Sequence, residues 1–387
     1  MKWIVSCMIS WCLLCSCYGV KSWSGWKDAN SVRALLVKAS NESKIYYSQF
    51  DWYPPRASSS IQSDCKQKTN IDLLIYGVDF YYASGTWFTR STIEKNKKNL
   101  ITIIKDMWNQ HHAIPCFSWH LENPYVPSEF KNSMGSRYRY DKSIPEYPKE
   151  HQYVIHEILS GKGGSKCGQG NYKGKDNIAV FLNPQDWFDS RCREVSSIIN
   201  EMVDKDGKPI PFIFRLWHEC EDNWHWWGPN SVTADDYKAF FILTEEKIKK
   251  YAPNAEILWA YSPDSYWKTE EAFMRYYPGD EYVDMIGYDD YRFGKSDEDF
   301  KQGLSRARIV TSVAHKRKKI AALFETNNNE KNQSDFFNNR LNILLQDSMV
   351  NFSLVQTWNA VFFDSKDAIR DRKVFLKQKK IIKSKRK

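Results

Sequence analysis

Two glutamates stand where apolar runs give out. One closes Phe214-Arg215-Leu216-Trp217-His218-Glu219, and the other follows Ala321-Ala322-Leu323-Phe324 as Glu325. A carboxylate walled by Trp loses hydration, which raises its pKa from about 4.3 toward 6–7 and lets it hold a proton for general acid catalysis. Two carboxylates facing each other equip a chain to cleave glycosidic bonds: one protonates the leaving oxygen, and the other attacks the anomeric carbon or activates water. Structural alternatives stand beside both readings. The first cluster also reads as a core Trp cluster with a rim ion pair between Arg215 and Glu219, and Glu325 alone also reads as a helix-start charge. His218-Glu219-Cys220-Glu221 lacks the second His of a metalloprotease helix, so neither a metal nor any other cofactor is expected there.

Two further segments put polar and aromatic groups after apolar runs: Ser118-Trp119-His120-Leu121-Glu122-Asn123-Pro124, and Asp284-Met285-Ile286-Gly287-Tyr288-Asp289-Asp290-Tyr291. Such endings need a scaffold that aligns strand termini. The chain alternates short apolar runs with longer amphipathic ones, the pattern of a parallel α/β fold. Eight strands are predicted, at Lys44–Gln49, Ile71–Val78, Ala113–Ser118, Pro211–Trp217, Glu256–Tyr261, Val283–Tyr288, Lys319–Phe324 and Phe352–Thr357. Their dense Ile, Val, Leu, Phe and Tyr content suits strands buried on both faces. Helices are predicted over Ser91–His111, Glu194–Val203, Asp235–Tyr251, Asp297–Lys318 and Asp335–Met349. Eight strands with intervening helices give a (β/α)8 TIM barrel, a single domain, with Glu219 and Glu325 ending the fourth and seventh strands at one mouth. The long excursion after the third strand, including the Gly-rich Gly161–Gly174, falls on that same face.

Composition is compatible with this reading. Sixteen Trp and 22 Tyr suit either sugar stacking or a large aromatic core. The net charge of +9 is concentrated at the end of the chain, where Arg370–Lys387 carries ten Lys or Arg against one Asp. No nucleic-acid motif accompanies that tail, and no nucleic-acid partner is expected. An apolar run from Trp3 to Cys15 follows Lys2 and reads as an export signal. Leu14-Cys15-Ser16-Cys17 resembles a bacterial lipobox, so residues 1–17 are expected as a lipoprotein-type signal, with Cys17 lipidated, 18–34 as a tether and 35–380 as the catalytic barrel. An ordinary signal peptide cut near Gly19 is the alternative. Cys65, Cys116, Cys167, Cys192 and Cys220 remain in the body, with no zinc spacing and no readable pairing.

The segments together resemble glycoside hydrolase family 26. The family's Arg, His-Glu and Trp-x-Trp-Trp-Gly elements correspond to Arg215, His218-Glu219 and Trp224-His225-Trp226-Trp227-Gly228. Ser118 to Pro124, Tyr261-Ser262-Pro263-Asp264 and Tyr282 to Tyr291 match in the same order. The resemblance implies a retaining endo-β-1,4-mannanase with Glu219 as acid/base and Glu325 as nucleophile. It implies substrate-binding positions at His120, Arg215, His218, Trp224, Tyr291 and Trp358: His218 steadies the acid/base region, Tyr291 bonds the nucleophile, and Trp224 stacks at the cleavage point. His120 lines the subsite of the cleaved sugar, and Trp358 is its floor. A monomer acting on mannan, glucomannan or galactomannan outside the cytoplasm, held to a membrane by a lipid alone, is expected. This chain departs from the family at Leu216, at Cys220-Glu221-Asp222, at His225, at Thr326-Asn327 and around Trp358. These changes leave open another β-glycan (mixed-linkage glucan or β-1,3-xylan), a mannobiose-releasing exo enzyme, or a non-catalytic glycan-binding lipoprotein.

Overall fold

All eight apolar runs are strands in the computed structural model: β1 (Ile45–Gln49), β2 (Ile75–Asp79), β3 (Ile114–Ser118), β4 (Phe212–Arg215), β5 (Ile257–Tyr261), β6 (Met285–Asp290), β7 (Ile320–Thr326) and β8 (Leu354–Thr357). The structure describes residues 26–50, 64–85, 88–125, 152–162, 167, 181–221, 225–327, 335–358 and 363–382. The expected signal with Cys17, Trp224, and most of Gly161–Gly174 lie outside the described residues.

Each strand pairs in parallel with the next from β2 to β8, and β8 pairs with β1. The ring closes through a parallel bridge between Phe50 and Gly77. A Cβ at Gly77 would stand 2.8 Å from the Phe50 Cα, so only glycine allows the two backbones to meet there. A ninth strand, β9 (Ile381–Ile382), pairs in parallel with Ile45 and Tyr46 of β1. The result is a (β/α)8 barrel. Nearly every strand residue is buried, as a parallel sheet covered on both faces requires.

The outer layer comprises α1 (Ala29–Asn41), α2 (Asp64–Thr69), α3 (Arg90–His111), α4 (Val154–Ser160), α5 (Pro184–Glu201), α6 (Ala234–Tyr251), α7 (Glu270–Met274), α8 (Asp297–Lys316), α9 (Asn342–Gln346) and α10 (Lys366–Leu376). Thr89, Asn183, Thr233 and Ser296 cap α3, α5, α6 and α8 by accepting a backbone N–H with their side chains.

Three boundaries differ from expectation. Residues 26–34 do not behave as a tether: Trp26 and Val32 are buried, and Asp28 forms a capping box that starts α1 at Ala29. The fifth helix starts ten residues before Glu194, because Asn183 caps it and Pro184 occupies its first turn. Within Asp335–Met349 the chain makes a wide π-helical turn, Phe337–Leu341, before α9. That wider turn accommodates the burial of both Phe336 and Phe337.

Candidate active site

The C-terminal ends of seven strands supply the site. Glu325 lies within β7, buried at 2% exposure. Its two oxygens are both occupied: Arg215 Nη1 donates to Oε1 at 2.6 Å, and the Tyr291 hydroxyl donates to Oε2. A local irregularity aims it. Pairing between β6 and β7 slips at Phe324, so that Tyr288 faces Leu323 while Asp289 faces Glu325. The Phe324 ring lies where a side chain on Gly287 would be, 2.4 Å from an added Cβ.

Arg215 ends β4 and is fully buried. Besides Glu325 it donates to Asp289 at 2.5 Å and to the Ser262 hydroxyl at 3.3 Å, and Ser262 donates onward to Asp289 at 2.7 Å. Burial alone would lower its pKa, but the facing Asp289 and Glu325 carboxylates outweigh that and hold it above the ordinary value. The rim ion pair with Glu219 does not form. Arg215, expected among the substrate-binding residues, instead organises carboxylates beneath the cleft surface.

Glu219 sits past the end of β4 on a strained turn. Trp217 and Glu219 both have positive φ, 49° and 55°. Non-glycine residues in that region cost about 1–3 kcal/mol each and persist where neighbours over-determine them. Here the Glu219 N–H donates to the Ser262 carbonyl at 2.8 Å, Tyr237 to the Trp217 carbonyl at 2.8 Å, and Trp227 to the His218 carbonyl at 2.8 Å. Trp217, Trp226 and Trp227 are fully buried. The Trp cluster is therefore core, and its function is to hold the turn. The Glu219 carboxyl pKa is raised well above the ordinary value, first by burial and then by the Asp264, Asp289 and Glu325 charges. His225 Nε2 lies 3.5 Å from Glu219 Oε2.

Next to this carboxyl are three imidazoles. His120 is half-buried, and its Nδ1 bonds the buried Asp79 carboxylate. Asp79 also accepts from Ser118 Oγ at 2.5 Å and from the Tyr81 and His120 N–H groups. Burial would raise the Asp79 pKa, but His120 and these donors hold it below the usual carboxylate range. The His218 ring lies 4.6 Å from that of His120 and 5.2 Å from that of His225, centroid to centroid. His225 stacks on Trp227 at 4.1 Å. Burial first, and the neighbouring His120 next, pushes both His218 and His225 well below the ordinary imidazole value. Across the mouth, Trp358 is half-buried, stacked on Phe50 at 4.3 Å, and its N–H donates to Thr326 beside Glu325. His120, Arg215, His218, Tyr291 and Trp358 thus lie about one mouth with the two glutamates, while Trp224 lies outside the described residues.

Asp79 and the roles of Asp264, Asp289 and His225 escaped sequence reasoning. The signal for Asp79 was available: the second apolar run ends at Val78, and a carboxylate follows immediately, as at Glu325. Among the described residues, two groups could gather a cation: His120, His218 and His225, and His218, Asp289 and Glu325. In the second, Arg215 already neutralises both carboxylates.

Comparison with known proteins agrees with this fold. Residues 181–365 match the model of glycosyl hydrolase family 26. A mannan endo-1,4-beta-mannosidase of Bifidobacterium adolescentis is 29% identical over 143 residues, 36% of this chain and 14% of that protein. One from Bacillus subtilis is 30% identical over 105 residues, 25% of this chain and 28% of that protein. The matched part of the chain thus spans less than a third of the length of these relatives. Among solved structures, GH26C of a Muricauda species superposes with a TM-score of 0.71 at 21% identity, covering 92% of this chain and 96% of that one. A GH26 beta-mannanase from Bacteroides ovatus superposes with a TM-score of 0.70 at 20% identity, covering 92% and 96%.

Proposed function

We propose that this protein, family 26-like over residues 181–365, is a retaining endo-acting hydrolase of β-1,4-mannosidic bonds. The observation that carries the reading is the unequal environment of two carboxyls on one barrel mouth. Glu325 is gripped by a guanidinium and a phenol, which complement a carboxylate and aim it. Glu219 is desolvated and faces like charges, which keep a proton on it. In the first step Glu325 attacks the anomeric carbon as the glycosidic bond breaks, and Glu219 gives its proton to the leaving oxygen. In the second, Glu219 takes a proton from water as that water attacks the same carbon and Glu325 departs. His120, His218 and Trp358 border the sugar in this reading, and Tyr291 orients the nucleophile.

Incubation with mannan, glucomannan, mixed-linkage glucan and β-1,3-xylan, followed by sizing of the products, tests it. Internal cleavage of mannan to short oligosaccharides is expected. Tight mannan binding without new reducing ends would replace the enzyme with a glycan-binding protein.

The apolar Trp3–Cys15 run and the Leu14-Cys15-Ser16-Cys17 motif support export with a lipid anchor on Cys17. A polysaccharide is too large to enter a cell whole, which agrees with that location. Wild type should fractionate with membranes and Cys17→Ala should be soluble; equal solubility would reduce the motif to a simple secretion signal.

A further inference from the structure

Residues 377–387 carry seven Lys or Arg and no Asp or Glu, and a neutral polysaccharide offers no partner for that charge. The fold decides where the charge begins. Parallel barrel strands start on the face opposite the mouth. α10 ends at Leu376, and Ile381 pairs with Ile45, the first residue of β1, so residues 377–380 turn across this base. The described chain also enters here: Trp26 packs edge-on to Tyr46, ring centroids 5.3 Å apart. From Trp26, α1 crosses under the barrel. Its Ala29 N–H donates at 2.9 Å to Glu256, which precedes β5; its Arg33 pairs with Asp284, which precedes β6; and its far end leads into β1. We propose that the base of the barrel is a docking face for anionic phospholipid headgroups, and that the anchored protein stands on it with the mouth turned away from the bilayer.

The surface of the base suits such a partner. Lys377 and Lys379 are exposed in the turn after α10, and Lys318 is exposed in the turn before β7, two strands along. None of the three makes an ion pair among the described residues. Neighbouring acids are matched instead: Glu42 by Lys44 at 2.6 Å, and Asp280 by Arg317 at 3.1 Å. Val37 and Val374, in the last turns of α1 and α10, are 43% and 53% exposed, and Met349, in the connection from α9 to β8, is 60% exposed. Ammonium groups among exposed apolar side chains match a headgroup layer, in which phosphates lie above the acyl boundary.

The tether sets the orientation. Nine Cα steps separate Cys17 from Trp26, a reach of at most about 30 Å. α3, which runs from the mouth to the base, has 22 residues and is roughly 33 Å long. A lipid on Cys17 therefore holds the base, and not the mouth, against the bilayer, and leaves the cleft open to a polymer. This orientation rests on the Cys17 anchor proposed above, whereas the charge-driven docking does not.

The test separates charge from lipid. Full-length chain carrying Cys17→Ala, which cannot take the lipid, is sedimented with vesicles of phosphatidylcholine alone and of phosphatidylcholine mixed with phosphatidylglycerol, at low and high salt. At low salt, binding to the anionic vesicles should exceed binding to the neutral ones at least about tenfold, and high salt should remove the excess. Adding Lys377→Glu with Lys379→Glu should abolish most of that excess. Adding Lys95→Glu with Lys98→Glu, the same charge change on the exposed flank of α3, should cost little. No preference for anionic vesicles, or equal losses in the two double variants, would overturn the docking face. On the same vesicles, hydrogen exchange of lipidated wild type should slow over residues 37–44 and 377–382 and stay unchanged over 290–293 at the mouth; slowing at the mouth would overturn the orientation. Membrane retention of wild type that survives high salt and is lost in Cys17→Ala reports the anchor alone, so the anchor and the docking face fail separately.

Discussion

Glu219 and Glu325 are the same side chain at the ends of strands three apart, and the barrel treats them oppositely. Glu325 is part of a continuous strand, fully buried, with a donor on each oxygen. Glu219 rides a left-handed turn beyond its strand and has His225 as a neighbour but faces three acidic groups. The barrel thus gives two carboxyls opposite surroundings: one held by a donor on each oxygen, as the proposed nucleophile needs, the other desolvated beside like charges, as the proposed proton carrier needs. Arg215 is the hinge of that difference. It forms ion pairs with Glu325 and Asp289 and none with Glu219, although Glu219 is only four residues away in the chain.

The largest expected effects come from removing each carboxyl. Glu325→Ala should lower kcat by about 10⁴-fold or more on every substrate, since nothing replaces a nucleophile. Glu219→Ala should cost about 10²–10⁴-fold on mannan, and far less on an aryl mannoside whose leaving group needs no proton. Steady-state kinetics on both substrates measures the split. Equal losses on both substrates in the Glu219 variant would erase the distinction between the two residues.

Arg215→Met should destabilise the fold by about 3–5 kcal/mol in urea unfolding, because it takes the guanidinium partner from two buried carboxyls, Asp289 and Glu325. A variant as stable as wild type would mean that these two ion pairs contribute nothing net to folding. Tyr291→Phe removes one bond to a charged oxygen, worth about 1.5–3 kcal/mol, and should reduce kcat/KM by roughly 10- to 100-fold with folding intact.

The smallest effect concerns pH. The Glu219 pKa lies above the ordinary 4.5, and after burial the first charge that raises it is Asp264. Activity requires protonated Glu219, so it falls as pH rises through that raised value. Asp264→Asn removes a like charge, lowers the pKa, and should move the alkaline limb of the kcat/KM profile to lower pH. A limb that stays in place or moves upward would assign it to another group.

The same contrast explains what could be read from the chain alone. The eight strands were legible because burial on both faces makes each a dense apolar run. The ends of those runs located Glu219 and Glu325. Partners were not legible, because Arg215 meets Glu325 across 110 residues and no local pattern encodes that pairing. The seam was equally hidden: Gly77 beside Phe50, and Ile381–Ile382 beside Ile45, are conditions of barrel closure rather than of periodicity. The start of α5 was signalled by Asn183-Pro184 but masked by the loop-like Gly-rich stretch before it. The His120, His218 and His225 cluster was hidden as well, since the fold alone assembles it.

The division of labour is tested most directly by trapping the covalent intermediate. An activated 2-fluoro-β-mannoside reacts with the nucleophile quickly, while its fluorine slows the hydrolysis of the adduct. Mass spectrometry of the digested protein should then find one glycosyl adduct per chain on the peptide containing Glu325, at that residue. An adduct on Glu219, or turnover with no adduct on either residue, would contradict the assignment of these two carboxyls.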